Sequence, residues 1–280
     1  MAKQKPRISF EFFPPKTEAG MDKLLNTVNP ALNELNPAFF SVTYGAGGST
    51  RDTTLDVVSA IAKRGIDVAP HLSFGGDDQN SVGDLLDTYR ERGIKRLVAL
   101  RGDRPSGFGH STHMVYANEL VAFVRERHGD HFQIEVAAYP EIHPEAESYD
   151  TDVQFLKGKF DAGANSAITQ FFYNVEAYFY FLDRCADAGI DGPVYAGVMP
   201  FINFDNIQRF ASNTGAEIPR WVCKRMESLR GNEEDMQKFG VDVVTQLCQT
   251  LLENGCPGIH FYTMNQVEPT QQIYSNLGLA

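Results

Sequence analysis

Short runs of β-branched and aromatic residues recur along the chain, and most are followed by a polar turn, an amphipathic stretch and a closing glycine. The runs fall at 8–12, 39–44, 68–72, 96–100, 134–139, 166–171, 194–198 and 258–262. Between them, stretches such as 51–64, 81–92, 114–127, 150–161, 175–188 and 241–254 carry apolar residues at three-and-four spacing, the period of a helix with one buried face. Gly65, Gly93, Gly163, Gly189 and Gly255 close five of these stretches, as residues that take the left-handed conformation at a helix end should. Strand and helix alternating over the whole length predict a parallel sheet, since each strand must return to the same edge through a crossover helix. Eight such units favour closure, so the predicted fold is α/β, a single-domain (β/α)8 TIM barrel over 1–280. An open doubly wound sheet would show fewer strands and a glycine-rich phosphate loop after the first. The least periodic part, 215–240, reads as a short helical excursion before the last unit.

Composition narrows the function classes. Of 280 residues, 42% are hydrophobic and 22% charged, which excludes a disordered chain. Lys+Arg 25 against Asp+Glu 36 gives a net charge of −11 and no basic stripe, so nucleic acid is not the expected partner. No run approaches the roughly 18 apolar residues that cross a bilayer. The start, Met1-Ala2-Lys3-Gln4-Lys5-Pro6-Arg7, lacks the apolar segment of a signal peptide, and the expected location is cytoplasmic. Cys185, Cys223, Cys248 and Cys256 form no C-x-x-C pair and fall mostly in apolar helical patterns, which reads as reduced core thiols.

In a barrel of this kind the chemistry sits at the C-terminal strand ends and in the loops after them. The first strand alternates, with Ile8, Phe10 and Phe12 on one face and Ser9, Glu11 and Phe13 on the other. If the aromatic face meets the helices, Glu11 points into the mouth. A carboxylate among aromatics should have a raised pKa, as a general acid requires; a buried Glu paired with Arg or Lys fits the same pattern, and both readings stay open. The second run continues into Thr43-Tyr44-Gly45-Ala46-Gly47-Gly48-Ser49-Thr50, with Thr50 where a nucleotide fingerprint needs its third glycine. That suits a tight loop or the close approach of a ligand.

His71 ends the third run, and Arg101 and Asp103 bracket Gly102 past the fourth, placed either to position a polar ligand or to pair with each other. In Tyr139-Pro140-Glu141-Ile142-His143-Pro144-Glu145 the prolines break the spacing of zinc motifs. No metal is expected there, and the carboxylates should bond a ligand or anchor the loop. Gln170, near the end of the sixth run, carries an amide suited to a planar heterocycle or to loop backbone. Phe210 suits either the inner face of a helix or stacking on a partner. His110, His113, His128, His131 and His260 show no ligand spacing, and most are expected to face solvent.

In order, Ser9-Phe10-Glu11-Phe12-Phe13-Pro14-Pro15-Lys16, Val42-Thr43-Tyr44-Gly45-Ala46, Ala69-Pro70-His71-Leu72, Ala99-Leu100-Arg101-Gly102-Asp103, the loop 138–145, Asp161-Ala162-Gly163-Ala164-Asn165, Ile168-Thr169-Gln170-Phe171-Phe172 and His260-Phe261-Tyr262-Thr263-Met264-Asn265 together resemble the bacterial-type 5,10-methylenetetrahydrofolate reductases over nearly the whole chain. The resemblance implies a barrel that holds FAD noncovalently at its strand C-termini. With NADH or NADPH as donor, and NADH favoured, such a barrel reduces 5,10-methylenetetrahydrofolate to 5-methyltetrahydrofolate by ping-pong kinetics, feeding methionine synthesis. It further implies a homo-oligomer.

By position the resemblance makes Glu11 the catalytic acid and Asp103 the carboxylate near flavin and pterin. It places Gln170, Phe210 and Tyr262 at the folate. It puts Thr43, His71, Arg101, Gly102, Asp103, Tyr116, Ala117, Tyr139, His143, Asp152 and Lys159 along the FAD. Phe155 and Gly158 depart from the pattern, standing where relatives carry polar or basic side chains near the adenosine diphosphate. Lys159 should then carry more of the phosphate neutralisation, and FAD should bind less tightly than in a typical relative. The chain ends at Ala280, where eukaryotic-type relatives continue into a domain that binds S-adenosylmethionine, so inhibition by that ligand is not expected. The rival readings are another barrel flavoprotein of the proline dehydrogenase type, and a flavin-free folate-binding or methyl-transfer barrel.

Overall fold

The computed structural model describes residues 5–44, 51–74, 79–101 and 116–279. Eight parallel strands close into a barrel in sequence order: β1 (Arg7–Phe12), β2 (Phe39–Val42), β3 (Val68–Leu72), β4 (Arg96–Ala99), β5 (Gln133–Ala138), β6 (Ser166–Thr169), β7 (Val194–Val198) and β8 (Gly258–Tyr262). All eight lie within a residue or two of the expected runs. After β1 come α1 (Glu18–Lys23), a π-helical turn (Leu24–Val28) and α2 (Asn29–Asn33). The crossovers after β2 to β6 are α3 (Arg51–Ala62), α4 (Gln79–Glu91), α5 (Ala117–His128), α6 (Tyr149–Asp161) and α7 (Val175–Asp187). Three helices, α8 (Phe204–Thr214), α9 (Arg220–Ser228) and α10 (Glu233–Glu253), separate β7 from β8, and α11 (Glu268–Asn276) follows β8. The helical excursion expected at 215–240 is thus α9 with the first turns of α10.

The five helix-closing glycines have φ between 74° and 112°, a region costly for any residue with a Cβ. Each reverses the chain into the next strand or the turn before it. On the outer faces of the strands Phe10, Phe12 and Phe40 are fully buried, with ring centroids 5.0 Å apart for Phe12 and Phe40. Each contributes on the order of 1.5–3 kcal/mol by leaving water, which fixes the register of β1 and so the inward aim of its alternate residues.

The N-terminal end of the barrel is stopped by charge. Glu135 on β5 is buried, with Arg7 at 3.0 Å, Arg96 at 2.8 Å and the Ser166 hydroxyl donating to its second oxygen. Both guanidiniums lie over the Phe39 ring, and Arg7 also lies over Tyr195. A buried carboxylate with two cationic and one hydroxyl partner is compensated on every side. All four cysteines are free thiols; Cys185, Cys248 and Cys256 are buried and Cys223 is half-buried. Among the described residues no helix is long and apolar enough to cross a membrane.

Candidate active site

At the opposite end, β1 and β8 pair with Ser9 beside His260 and Glu11 beside Tyr262, while β2 sets Ser41 beside Glu11. With Phe10 and Phe12 turned to the helices, Glu11 faces inward as expected. It lines a cavity of about 730 Å³ at the mouth together with His71, Gln170, Met199, His260 and Tyr262.

Glu11 Oε2 lies 3.2 Å from His71 Nε2 and 3.6 Å from His260 Nε2. The Ser41 hydroxyl sits between them, 3.4 Å from the carboxylate and 3.3 Å from His260 Nε2. His260 Nδ1 is held 2.7 Å from Ser9 Oγ. Burial pushes the Glu11 carboxyl up, but the charge of His71, hydrogen bonds from His260 and His71 and the charge of His260 outweigh it and hold the group at about 2. The raised pKa expected for Glu11 is therefore overturned, and its partners are imidazoles rather than an Arg or Lys. Alternation along β1 reveals aromatic neighbours on one strand; it is silent about what β3 and β8 deliver.

Most of the histidines without ligand spacing are expected to face solvent, yet His260 is fully enclosed in the barrel. The alternation of β8, with Gly258, His260 and Tyr262 on one face, is the signal that would have found it. His128 is buried too, with Nε2 3.3 Å from Asp87, and His131 is half-buried, bonding the Ile94 carbonyl at 3.0 Å. His110 and His113 lie outside the described residues.

The Tyr262 hydroxyl donates to the Thr169 carbonyl at 2.6 Å, bracing its ring across the mouth. Gly197 on β7 makes room for this: a Cβ there would come within 1.9 Å of the Thr169 oxygen and 2.8 Å of the Tyr262 ring. Gln170 is half-buried just past β6, with its backbone N–H bonded to Ala138 O at 2.7 Å. Phe210 does not line the mouth. It is half-buried on α8, with the Arg209 guanidinium 5.6 Å from its ring centroid.

Beside the mouth runs an open cleft of about 1210 Å³, whose walls include Tyr44, Tyr116, Ala117, His143, Asp152 and Lys159. Its wall residues His71, Leu100, Ala137 and Tyr139 also line the mouth, so the two cavities adjoin. Lys159 Nζ donates to Ala137 O at 2.7 Å. Burial lowers the Lys159 ammonium to about 8, with Asp152 opposing and Arg101 adding to the fall. Arg101 pairs with Glu145 at 2.7 Å. Asp152 accepts the His143 N–H at 2.8 Å, and its carboxyl is pushed up by burial. Thr43 Oγ1 is buried with no hydrogen-bond partner. Tyr116 is exposed at the start of α5, its N–H held by Glu119 at 2.9 Å, and Ala117 is buried.

Phe155 stands 59% exposed on this cleft, and Gly158 has open space around it. Gly102 and Asp103 lie outside the described residues, so the pairing expected between Arg101 and Asp103 is not described.

The profile of the family described as methylenetetrahydrofolate reductase matches residues 1–278. The 5,10-methylenetetrahydrofolate reductase of Salmonella typhimurium is 41% identical over 97% of this chain and 90% of its own length, and that of Pectobacterium carotovorum is 40% identical over the same shares. Methylenetetrahydrofolate reductase (NADH) 1 of Arabidopsis thaliana is 35% identical over 97% of this chain and 48% of its own. Among solved structures, an uncharacterised Clostridium thermocellum protein that binds two copies of 5-methyl-5,6,7,8-tetrahydrofolic acid has a similar fold, with a TM-score of 0.67 at 16% identity, covering 99% of this chain and 94% of that one. With the profile match over nearly its full length and bacterial relatives at 40% identity, the chain belongs to the methylenetetrahydrofolate reductase family of oxidoreductases.

Proposed function

We propose that this barrel reduces 5,10-methylenetetrahydrofolate to 5-methyltetrahydrofolate in two half-reactions at one mouth, with FAD in the adjoining cleft, NADH as the donor and Glu11 as the acid. The observation that carries the reading is the junction of cleft and mouth: a long cofactor lying in the cleft would present one end beside Glu11. When bound, FAD supplies a two-electron carrier that accepts hydride from the dinucleotide and returns it to the folate.

The residues present suit that group. Lys159 and Arg101 bring cationic groups to the cleft, as a diphosphate requires. Thr43 Oγ1, one residue before the cleft-lining Tyr44, is a buried polar atom with no hydrogen-bond partner, and Tyr139 and His71 stand where the two cavities meet. Phe155 offers a phenyl ring rather than a charge, so the phosphates rest on Lys159 and Arg101, and the affinity for FAD is lower than in relatives with a basic residue there.

Glu11 has the position for proton transfer. Opening the five-membered folate ring needs a proton on the departing nitrogen and leaves a 5-iminium cation, to which hydride adds to give the methyl group. Glu11 Oε2, His71 and His260 form a connected set that can hold this proton, while Ser9 and Ser41 orient the His260 ring. The Gln170 amide faces the same cavity and can pair with a pterin edge. Asp103 is the second carboxylate of the reading, favouring the cation. Because both substrates need one mouth, the kinetics should be ping-pong.

The test is an anaerobic spectrum of the purified protein with NADH, then NADPH, then methylenetetrahydrofolate. Bleaching by dinucleotide and recovery with folate is the expected result. A colourless protein that takes up no FAD yet oxidises NADH only when folate is present overturns the flavin step; bleaching by proline and not by dinucleotide overturns the reduction.

A further inference from the structure

Glu141, in the turn after β5, takes no part in the chemistry above, yet it is tied across the rim. Its Oε2 accepts the N–H of Glu217, in the segment between α8 and α9, at 3.1 Å. The two segments also approach beside it: Gly215, which ends α8 in the left-handed conformation at φ 76°, has Pro144 of the same loop 3.6 Å from where a Cβ would stand. The loop is itself held in an uncommon shape. Ile142 has φ 66°, strained for a β-branched residue, and the Tyr149 hydroxyl fastens Pro140 O at 3.0 Å.

The tie therefore runs from the β5 loop to the segment that follows α8. One turn before the end of α8, Phe210 O accepts the Thr214 hydroxyl at 3.0 Å. We propose that Glu141 is a positioning residue that docks the C-terminal end of α8 on the β5 loop and so sets how closely Phe210, half-buried outside the open mouth, approaches a bound substrate. This rests on the proposed reduction and on the family resemblance, which places Phe210 at the folate.

The charge state of Glu141 tunes the docking. Burial pushes its carboxyl up, the Glu217 N–H pulls it back in part, the Glu217 carboxylate pushes it up again, and the group titrates at about 7. His143, Asp152 and Glu145 of the same loop and of α6 couple to one another and to Arg101 and Lys159, not to Glu141. An undocked, hydrated Glu141 would ionise near the ordinary carboxylate value of about 4.5. The docked state thus holds its proton longer: docking is tightest in acid, weakens as pH climbs from about 4.5 to about 7, and is level above.

Trp221, the chain's single tryptophan, serves as the probe. It lies on α9 four residues beyond Glu217, 62% exposed and edge-on to Phe239. In the full-length protein, wild-type Trp221 emission should change between pH 5 and 7.5. Glu141→Gln, which keeps the acceptor and loses the charge, should hold the acid signal throughout, and Glu141→Ala should give the alkaline signal throughout. At pH 8 the KM for methylenetetrahydrofolate should be about threefold lower in Glu141→Gln than in wild type and about threefold higher in Glu141→Ala, with kcat little changed, as for a binding geometry rather than a reacting group. Emission profiles that coincide in the three proteins overturn the docking. Equal KM values overturn the positioning role. A wild type that reduces no folate overturns the functional reading instead, which emission does not depend on.

Discussion

Glu11→Gln keeps the shape of the side chain at the mouth and removes its charge. In the open site the carboxyl is held at about 2 against an ordinary 4.5, because the charges and hydrogen bonds of His71 and His260 outweigh its burial and favour the ionised form. At pH 7 the free site therefore holds Glu11 ionised. In the proposed role Glu11 must therefore gain its proton when substrate arrives, which requires the bound pterin to weaken the grip of His71 at 3.2 Å and His260 at 3.6 Å. Glutamine neither accepts that proton nor gives it up. The expected result is that hydride uptake from NADH stays within about threefold of wild type while folate reduction falls by roughly 10²–10⁴, the usual worth of a positioned acid. Anaerobic stopped-flow measures the two half-reactions separately. Equal loss in both would refute the acid role, as would folate reduction that survives within a few-fold.

Lys159→Met should raise the FAD dissociation constant by roughly tenfold or more, the worth of one charged hydrogen bond. Because the Lys159 ammonium titrates at about 8 in the open cleft, wild-type affinity should weaken as pH rises above that value and the variant's should not; flavin fluorescence quenching from pH 6.5 to 9.5 decides it, and matching curves would refute it. Gly197→Ala forces a methyl against the Thr169 carbonyl and the Tyr262 ring. It should cost about 1–3 kcal/mol in denaturant unfolding and raise the folate KM; a neutral effect on both would mean that Tyr262 is not braced there. Glu135→Gln leaves Arg7 and Arg96 without their shared anion and should destabilise by roughly 2–4 kcal/mol, tempered by the remaining partners of both arginines. A fall in Tm of several degrees with kcat unaltered is the expected pair of results, and a Tm within a degree of wild type would contradict it.

The eight strands are legible in the sequence because parallel strands covered on both faces read as short unbroken apolar runs. Their ends are less so. Thr43, Leu100, Tyr139 and Gln170 fall within the expected runs and Arg101 directly follows one, yet the sheet stops before all five and they belong to the loop layer at the site. The inward aim of Glu11 followed from one strand. Its ionisation did not, because His71 and His260 come from strands 60 and 249 positions further along, and only barrel closure brings them together. Phe210 shows the converse: its helical period is compatible with core or with stacking, and the fold leaves it half-buried on α8, outside the mouth. Glu141 was open between ligand and anchor, and its bond to Glu217 selects the anchor.

The ionic stopper formed by Arg7, Arg96, Glu135 and Ser166 lies at the far end of the barrel from the mouth, with the Phe39 ring against both guanidiniums. Changes among Gln170, Tyr262 and their neighbours therefore leave this foundation intact. An experimenter redirecting the mouth toward other pterins could thus trade away local fit while the far end keeps the staves in register.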